Sequence, residues 1–182
     1  MEVGQAAGGS ISIDFSALLS GETRNSGTID VSSTSGAGGS VTVVGDQVSA
    51  SGSIDASGST GGGSVRIGGD YQGANAALSN ASSTNVSGVV KADAILAGDG
   101  GRVILWADGD TTFSGQITAS GAGSGKGGFA EVSGKENLLY RGLADLSGPG
   151  GGGELLLDPA NVTISYVSPN TTLSAAGDAN GD

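Results

Sequence analysis

The side chains able to do chemistry in this chain are carboxylates, a few cations, hydroxyls and one indole. His and Cys are both missing from its 182 residues. That removes the histidine triad, the imidazole base, the thiolate nucleophile and the usual nitrogen and sulfur metal ligands. Carboxylate chemistry is left. Asp108, Asp110 and Arg102 lie near one another, as do Glu131, Lys135 and Glu136. Clustered acids beside a cation are what acid–base cleavage of a polysaccharide requires. Each of these residues also reads as an outward charge or a turn residue next to Gly, and that is the reading adopted here: the chain is not expected to be an enzyme. Asp178, Asn180 and Asp182 place oxygen ligands at alternate positions, as calcium loops do, but the later Glu of such loops is missing. The segment reads as a tail and no cofactor is expected, with calcium at these three residues as the alternative. Trp106 is the one residue suited to stacking on a sugar ring, provided that its face is open.

These residues need a scaffold, and composition restricts it. The chain has 37 Gly, 3 Pro and 4% aromatic residues, too few bulky side chains for an ordinary compact core. Without a strict three-residue Gly period it is not collagen-like, and 36% hydrophobic content argues against plain disorder. A formal charge of −11, from 18 acidic and 7 basic residues that do not cluster, makes nucleic acid an unsuitable partner. No apolar run is long enough for a membrane-spanning helix, and no secretion-signal pattern follows Met1.

An internal repeat supplies the scaffold. Paired glycines precede alternating apolar residues at Gly8-Gly9-Ser10-Ile11-Ser12-Ile13, Gly38-Gly39-Ser40-Val41-Thr42-Val43, Gly62-Gly63-Ser64-Val65-Arg66-Ile67, Gly100-Gly101-Arg102-Val103-Ile104-Leu105, Gly127-Gly128-Phe129-Ala130-Glu131-Val132 and Gly152-Gly153-Glu154-Leu155-Leu156-Leu157. The spacings are 30, 24, 38, 27 and 25 residues, the size of stacked supersecondary units. A second element alternates with the first, as in Gly27-Thr28-Ile29-Asp30-Val31 and Gly52-Ser53-Ile54-Asp55-Ala56. A period of two places Val41 and Val43 on one face of a strand and Thr42 on the other. The expectation is all-β: a right-handed parallel β-helix of about five to six coils. Each coil holds two or three short strands, and the inward residues stack in ladders. Residues 1–165 form the repeat segment, and residues 166–182 a tail or the start of a further segment.

The motifs Gly68-Gly69-Asp70-Tyr71-Gln72-Gly73, Gly98 to Asp108, Gly127 to Lys135 and Leu155-Leu156-Leu157-Asp158-Pro159-Ala160-Asn161-Val162-Thr163-Ile164 occur in this order. Over residues 38–165 the chain resembles the repeat shaft of filamentous-haemagglutinin-like exoproteins of Gram-negative bacteria. The resemblance implies a β-helical adhesin exported by two-partner secretion through an outer-membrane transporter to the cell surface or medium. There it would meet a host-cell or matrix glycan or protein receptor. A polysaccharide-binding or polysaccharide-active β-helix is the alternative.

Two features stand apart from the repeat. Residues 73–87 lengthen the 38-residue unit and read as a surface excursion. Ile104, Trp106, Glu131 and Leu156 fall on the outward face if Val103 and Leu105 point inward. The apolar ones then need a cover, for which the excursion is the nearest lid, with Tyr71 or Tyr140 packing beneath it. Sequons begin at Asn80, Asn85, Asn161 and Asn170.

Overall fold

The computed structural model describes residues 9–14, 21–164 and 173–174. They form an all-β parallel solenoid of five complete coils, a sixth with two strands and the first strand of a seventh. Each complete coil contributes one strand to each of three sheets. Sheet A stacks Ser10–Asp14, Ser40–Val44, Ser64–Ile67, Arg102–Ala107, Phe129–Gly134, Glu154–Leu156 and Leu173–Ser174. Sheet B stacks Glu22–Asn25, Gln47–Ala50, Ser83–Val86, Asp110–Phe113, Asn137–Tyr140 and Asn161–Ile164. Sheet C stacks Thr28–Asp30, Ser53–Asp55, Val89–Lys91, Gln116–Thr118 and Leu143–Asp145. All strand pairs in these sheets are parallel. Among the described residues the sole helical element is a single 3-10 turn, Tyr71–Gly73.

The alternating pattern becomes ladders. In sheet A, Ile11, Val41, Val65, Val103, Ala130 and Leu155 occupy equivalent rungs, and Ile13, Val43, Ile67, Leu105 and Val132 a second set. Sheet C contributes Ile29, Ile54, Val90, Ile117 and Ala144. These side chains share one core along the column, and each fully buried Val, Ile or Leu adds about 2 kcal/mol. The strand that composition alone did not separate out is sheet B, whose inward rungs mix Val48 and Leu138 with buried Thr23, Thr84 and Thr111. Each of these threonines donates its hydroxyl to a backbone carbonyl at the A–B corner of the next coil: to Val44 at 2.9 Å, Trp106 at 2.7 Å and Ser133 at 2.8 Å. Phe113 and Tyr140 fill the outermost B rungs, with ring centroids 5.2 Å apart. Burial pushes the Tyr140 hydroxyl up to about 12.

The paired glycines sit where sheet C turns into sheet A. The second glycine of a pair donates its N–H to the residue that closes the preceding C strand: Gly63 to Ala56 at 2.8 Å, Gly101 to Ala92 at 2.7 Å and Gly128 to Ala119 at 2.7 Å. A Cβ on Gly63, Gly101 or Gly128 would lie 2.1 Å from the carbonyl oxygen of the equivalent glycine one coil back. The first glycine is held just as closely, for a Cβ on Gly100 would lie 1.9 Å from the Ala119 oxygen. Small residues at Ala56, Ala92 and Ala119 leave the room for this approach. The outward Asp of several C strands closes the same corner locally. Asp30 accepts from the Ser32 N–H, Asp55 from Ser57 and Asp145 from Ser147, at 2.8, 2.9 and 3.0 Å. Hydrogen bonds from the Ser32 side chain and backbone hold the Asp30 carboxyl below its ordinary range, against the opposing effect of burial.

Two substitutions test this packing by thermal unfolding. Gly101→Ala is expected to cost about 3 kcal/mol, because backbone faces the new methyl and cannot move aside. Gly36→Ala, whose Cβ would meet only the Ser33 hydroxyl at 3.5 Å, is expected to stay within about 0.5 kcal/mol of wild type. Thr84→Val keeps the shape but strips the Trp106 carbonyl of its buried donor, and should cost about 1–2 kcal/mol.

Candidate functional site

One face of the column departs from the repeat. Between its A and B strands the third coil sends out residues 69–82, which fold back over the outer surface of sheet A across the fourth and fifth coils. The excursion therefore ends earlier than the 73–87 expected from the sequence, because Ser83–Val86 is a sheet B strand paired on both sides. The segment leaves at Gly68, whose φ of 80° and contact with Thr84 exclude a side chain, and closes where the Ala81 N–H donates to the Gly68 carbonyl at 2.6 Å.

This strap covers what the strand pattern turned outward. Ile104 is fully buried and Trp106 only 5% exposed. The indole lies under Gly69 and Gly73, where added Cβ atoms would come within 2.7 and 2.6 Å of it. Its N–H donates to Asp108 at 3.2 Å. Sugar stacking on Trp106 is thus corrected: the strap packs where a sugar would lie and leaves the residue only marginally exposed, at the edge of a neighbouring cleft. Tyr71 does pack here, edge-on to Phe129 at 5.9 Å, with the Arg102 guanidinium carbon 4.9 Å from the Tyr71 ring and 4.4 Å from Phe129. Tyr140 does not, because its position in the B strand points it into the core.

Polar ties fix both ends of the strap. Arg66 of the third coil pairs with Asp70 at 3.1 Å, and Asp70 accepts from the Tyr71 N–H and the Asn75 amide, both at 2.8 Å. Burial works to raise the Asp70 pKa, but the Asn75 and Tyr71 hydrogen bonds and the Arg66 charge outweigh it and keep the carboxyl below its ordinary range. Asn80 donates to the Gly73 carbonyl and to Asp108, each at 3.0 Å.

Glu131 lies beneath the crown of the strap. The sequence reading treats it as an outward charge. It does face outward from sheet A, yet it is fully buried because the strap and the neighbouring rungs Ile104 and Leu156 enclose it. Both carboxyl oxygens accept from one backbone donor, the Gln72 N–H, at 3.2 Å. Gln72 has φ 52° and ψ 24° and is the one non-glycine residue with positive φ among those described. Burial pushes Glu131 up to about 7. The Gln72 bond, the Ser133 hydroxyl and the Arg102 charge work against this, and the Asp158 charge adds to it. A signal was present in the sequence: position 131 shares its rung with Ile104 and Leu156, an apolar environment for a carboxylate.

Beside the strap lies a cleft of about 470 Å3, lined by Asn80, Trp106, Asp108, Lys135, Asp158 and Pro159. Of the acids and cations near in sequence, the fold puts Asp108 and Lys135 together and separates the rest. Asp110 accepts from Asn137 at 2.7 Å in the ladder of sheet B, and Arg102 is committed to its two rings. Glu136 lies in the turn after Lys135 and does not line the cleft. Among the sequons, Asn80 uses its amide in the strap, whereas Asn85 and Asn161 are exposed. Asn170 and the oxygen-ligand candidates Asp178, Asn180 and Asp182 lie outside the described residues. No grouping of three or more carboxylates able to hold a metal occurs among the described residues, and no described helix is long and apolar enough to cross a membrane. No protein-family model matches this chain, and no curated protein matches it in sequence.

The buried carboxyl makes stability depend on pH in a defined direction. Folded Glu131 keeps its proton up to about 7, whereas unfolded it ionises near 4.5, so the folded state binds the extra proton between these values. The stabilisation is complete below 4.5 and is lost as pH rises to 7. Glu131→Gln, which cannot ionise, is expected to exceed wild type by about 3 kcal/mol at pH 8 and to lose that advantage at pH 4.5. Chemical denaturation at the two pH values measures the difference.

Proposed function

We propose that this chain is a structural, non-enzymatic shaft segment of a filamentous-haemagglutinin-like surface exoprotein, exported through an outer-membrane transporter and displaying binding regions outside the cell. The observation carrying this reading is the unbroken register of rungs across all three sheets. Such a column grows by adding coils, and length at constant cross-section is what a displayed shaft needs. The four ordered motifs of residues 38–165 support the same reading, since glycines of the first three fall at the stacking corner and in the strap and the fourth supplies the last described strands of sheets A and B before residue 165. A net charge of −11 on a narrow column favours solubility outside the cell and disfavours lateral aggregation. The receptor would be a host-cell or matrix glycan or protein that meets an exposed part of the shaft or a region beyond it.

A second reading, a polysaccharide-binding or polysaccharide-active solenoid, is favoured by one feature: Asp108, Lys135 and Asp158 around a single cleft on the outer face of sheet A. Two carboxylates and a cation lining one cleft can hydrogen-bond sugar hydroxyls, and a carboxyl there could protonate a leaving oxygen.

Two experiments separate these readings. An antibody against the chain should stain intact producing cells or detect the protein in their medium, and disabling the outer-membrane transporter should trap it inside. Antigen confined to the cytosol would remove the shaft reading. Incubation with a panel of acidic and neutral polysaccharides is expected to release no sugar and leave viscosity unchanged. Turnover that disappears in both Asp108→Asn and Asp158→Asn would establish the second reading instead.

A further inference from the structure

We propose that residues 69–82 form a proton-operated latch, closed over the outer face of sheet A while Glu131 is neutral and released when Glu131 ionises.

The geometry beneath the strap suits a neutral acid better than a carboxylate. Glu131 is fully buried, and its two oxygens share one backbone N–H at 3.2 Å, a stretched three-centre arrangement rather than two full bonds. The charged groups facing it offer little compensation. Arg102 is the nearest cation, but its guanidinium is held over the Tyr71 and Phe129 rings. Arg66, two rungs away in the same ladder, is paired with Asp70. Asp158 brings a like charge from the segment on the far side of the cleft, whose lining includes Lys135 and Asp108. The Ser133 hydroxyl is the one further donor, and Ile104 and Leu156, which flank the carboxyl along the ladder, supply none. An ionised Glu131 therefore gains most by regaining water, and the strap is what separates it from water.

The strap itself is poised to move. Most of residues 71–79 are exposed, and between the buried Ala81 at its end and the contacts of Gly69, Tyr71 and Gly73 with Trp106 and Phe129 its ties to the column are polar, so its crown belongs to the weakly held end of the structure. Gln72 stores backbone strain in the left-handed region, which release would relax. Burial raises Glu131 to about 7 in the closed form. An open form titrates near 4.5, so ionisation weakens closure on the order of 100-fold. Opening uncovers Ile104 and Trp106 without disturbing the ladders inside the column.

Trp106 is the one tryptophan in the chain and sits directly under the strap, so its fluorescence reports closure. Acrylamide quenching of the whole chain is measured from pH 4 to 9, with far-ultraviolet circular dichroism recorded in parallel. The expected result is a several-fold, reversible rise in quenching with a midpoint between 4.5 and 7 and an unchanged β signal. Glu131→Gln is expected to stay quenching-resistant throughout. A flat wild-type curve overturns the proposal, as does a rise that Glu131→Gln shares. Hydrogen exchange supplies a readout independent of the variant. Corrected for its intrinsic pH dependence, protection of the Gln72 amide should fall on the order of 100-fold between pH 4.5 and 8 while the Leu105 amide stays protected. Unchanged protection at Gln72 overturns the latch.

Discussion

At the corner where sheet C becomes sheet A, the backbone of one coil lies so near the next that only hydrogen fits between them. A methyl on the first glycine of a pair would meet the carbonyl closing its own coil, and one on the second would meet the glycine carbonyl one coil back. That contact sets the pitch and fixes which residues stack. Once the corners are in register, each inward side chain lies above a like side chain, and the ladders of Val, Ile and Leu follow. Sheet B then needs only enough polarity to satisfy the other corner, which the buried threonines supply one coil at a time. The small cross-section accounts for the composition, since a chain turning this tightly has interior room for one layer of modest side chains and corner room for none.

A solenoid has an outer face as well as an inner one, and alternation guarantees that the two differ in sequence. Where the outer residues are Thr, Ser and Asp, water suffices. At the fourth to sixth coils they are Ile104, Trp106, Glu131 and Leu156, and the chain provides its own roof by lengthening the third coil. The roof makes these side chains interior without making them part of the column. That explains how a carboxylate can be fully buried in a fold whose core is entirely separate from it. The cleft beside the roof follows from the same insertion, because the strap and the segment carrying Asp158 rise from the sheet with a gap between them.

Much of this could be read directly from the residues. Gly100-Gly101 followed by Val103 and Leu105 announces a corner and an inward pair, and the recurrence of that phrase announces stacking. The need to cover Ile104 and Trp106, and the segment available to do so, were also legible. Sheet B was not, because Thr23, Thr84 and Thr111 break the apolar alternation that marks a strand, and their hydroxyls find partners only in the next coil. The end of the strap was misjudged for a related reason. Ser83-Thr84-Asn85-Val86 looks like loop in isolation and becomes a strand through its neighbours Gln47–Ala50 and Asp110–Phe113.

By itself the sequence determined the repeating unit, the inward residues and the exclusion of histidine and thiol chemistry, since periodicity and absence are properties of the one-dimensional string. Tertiary structure decided which polar groups are dry. Whether Glu131 meets water depends on a segment that begins some sixty residues earlier and crosses two coils to reach it, and whether Trp106 can touch a ligand depends on two glycines of that same segment. Burial is set by what lies overhead, and no spacing along the chain encodes it.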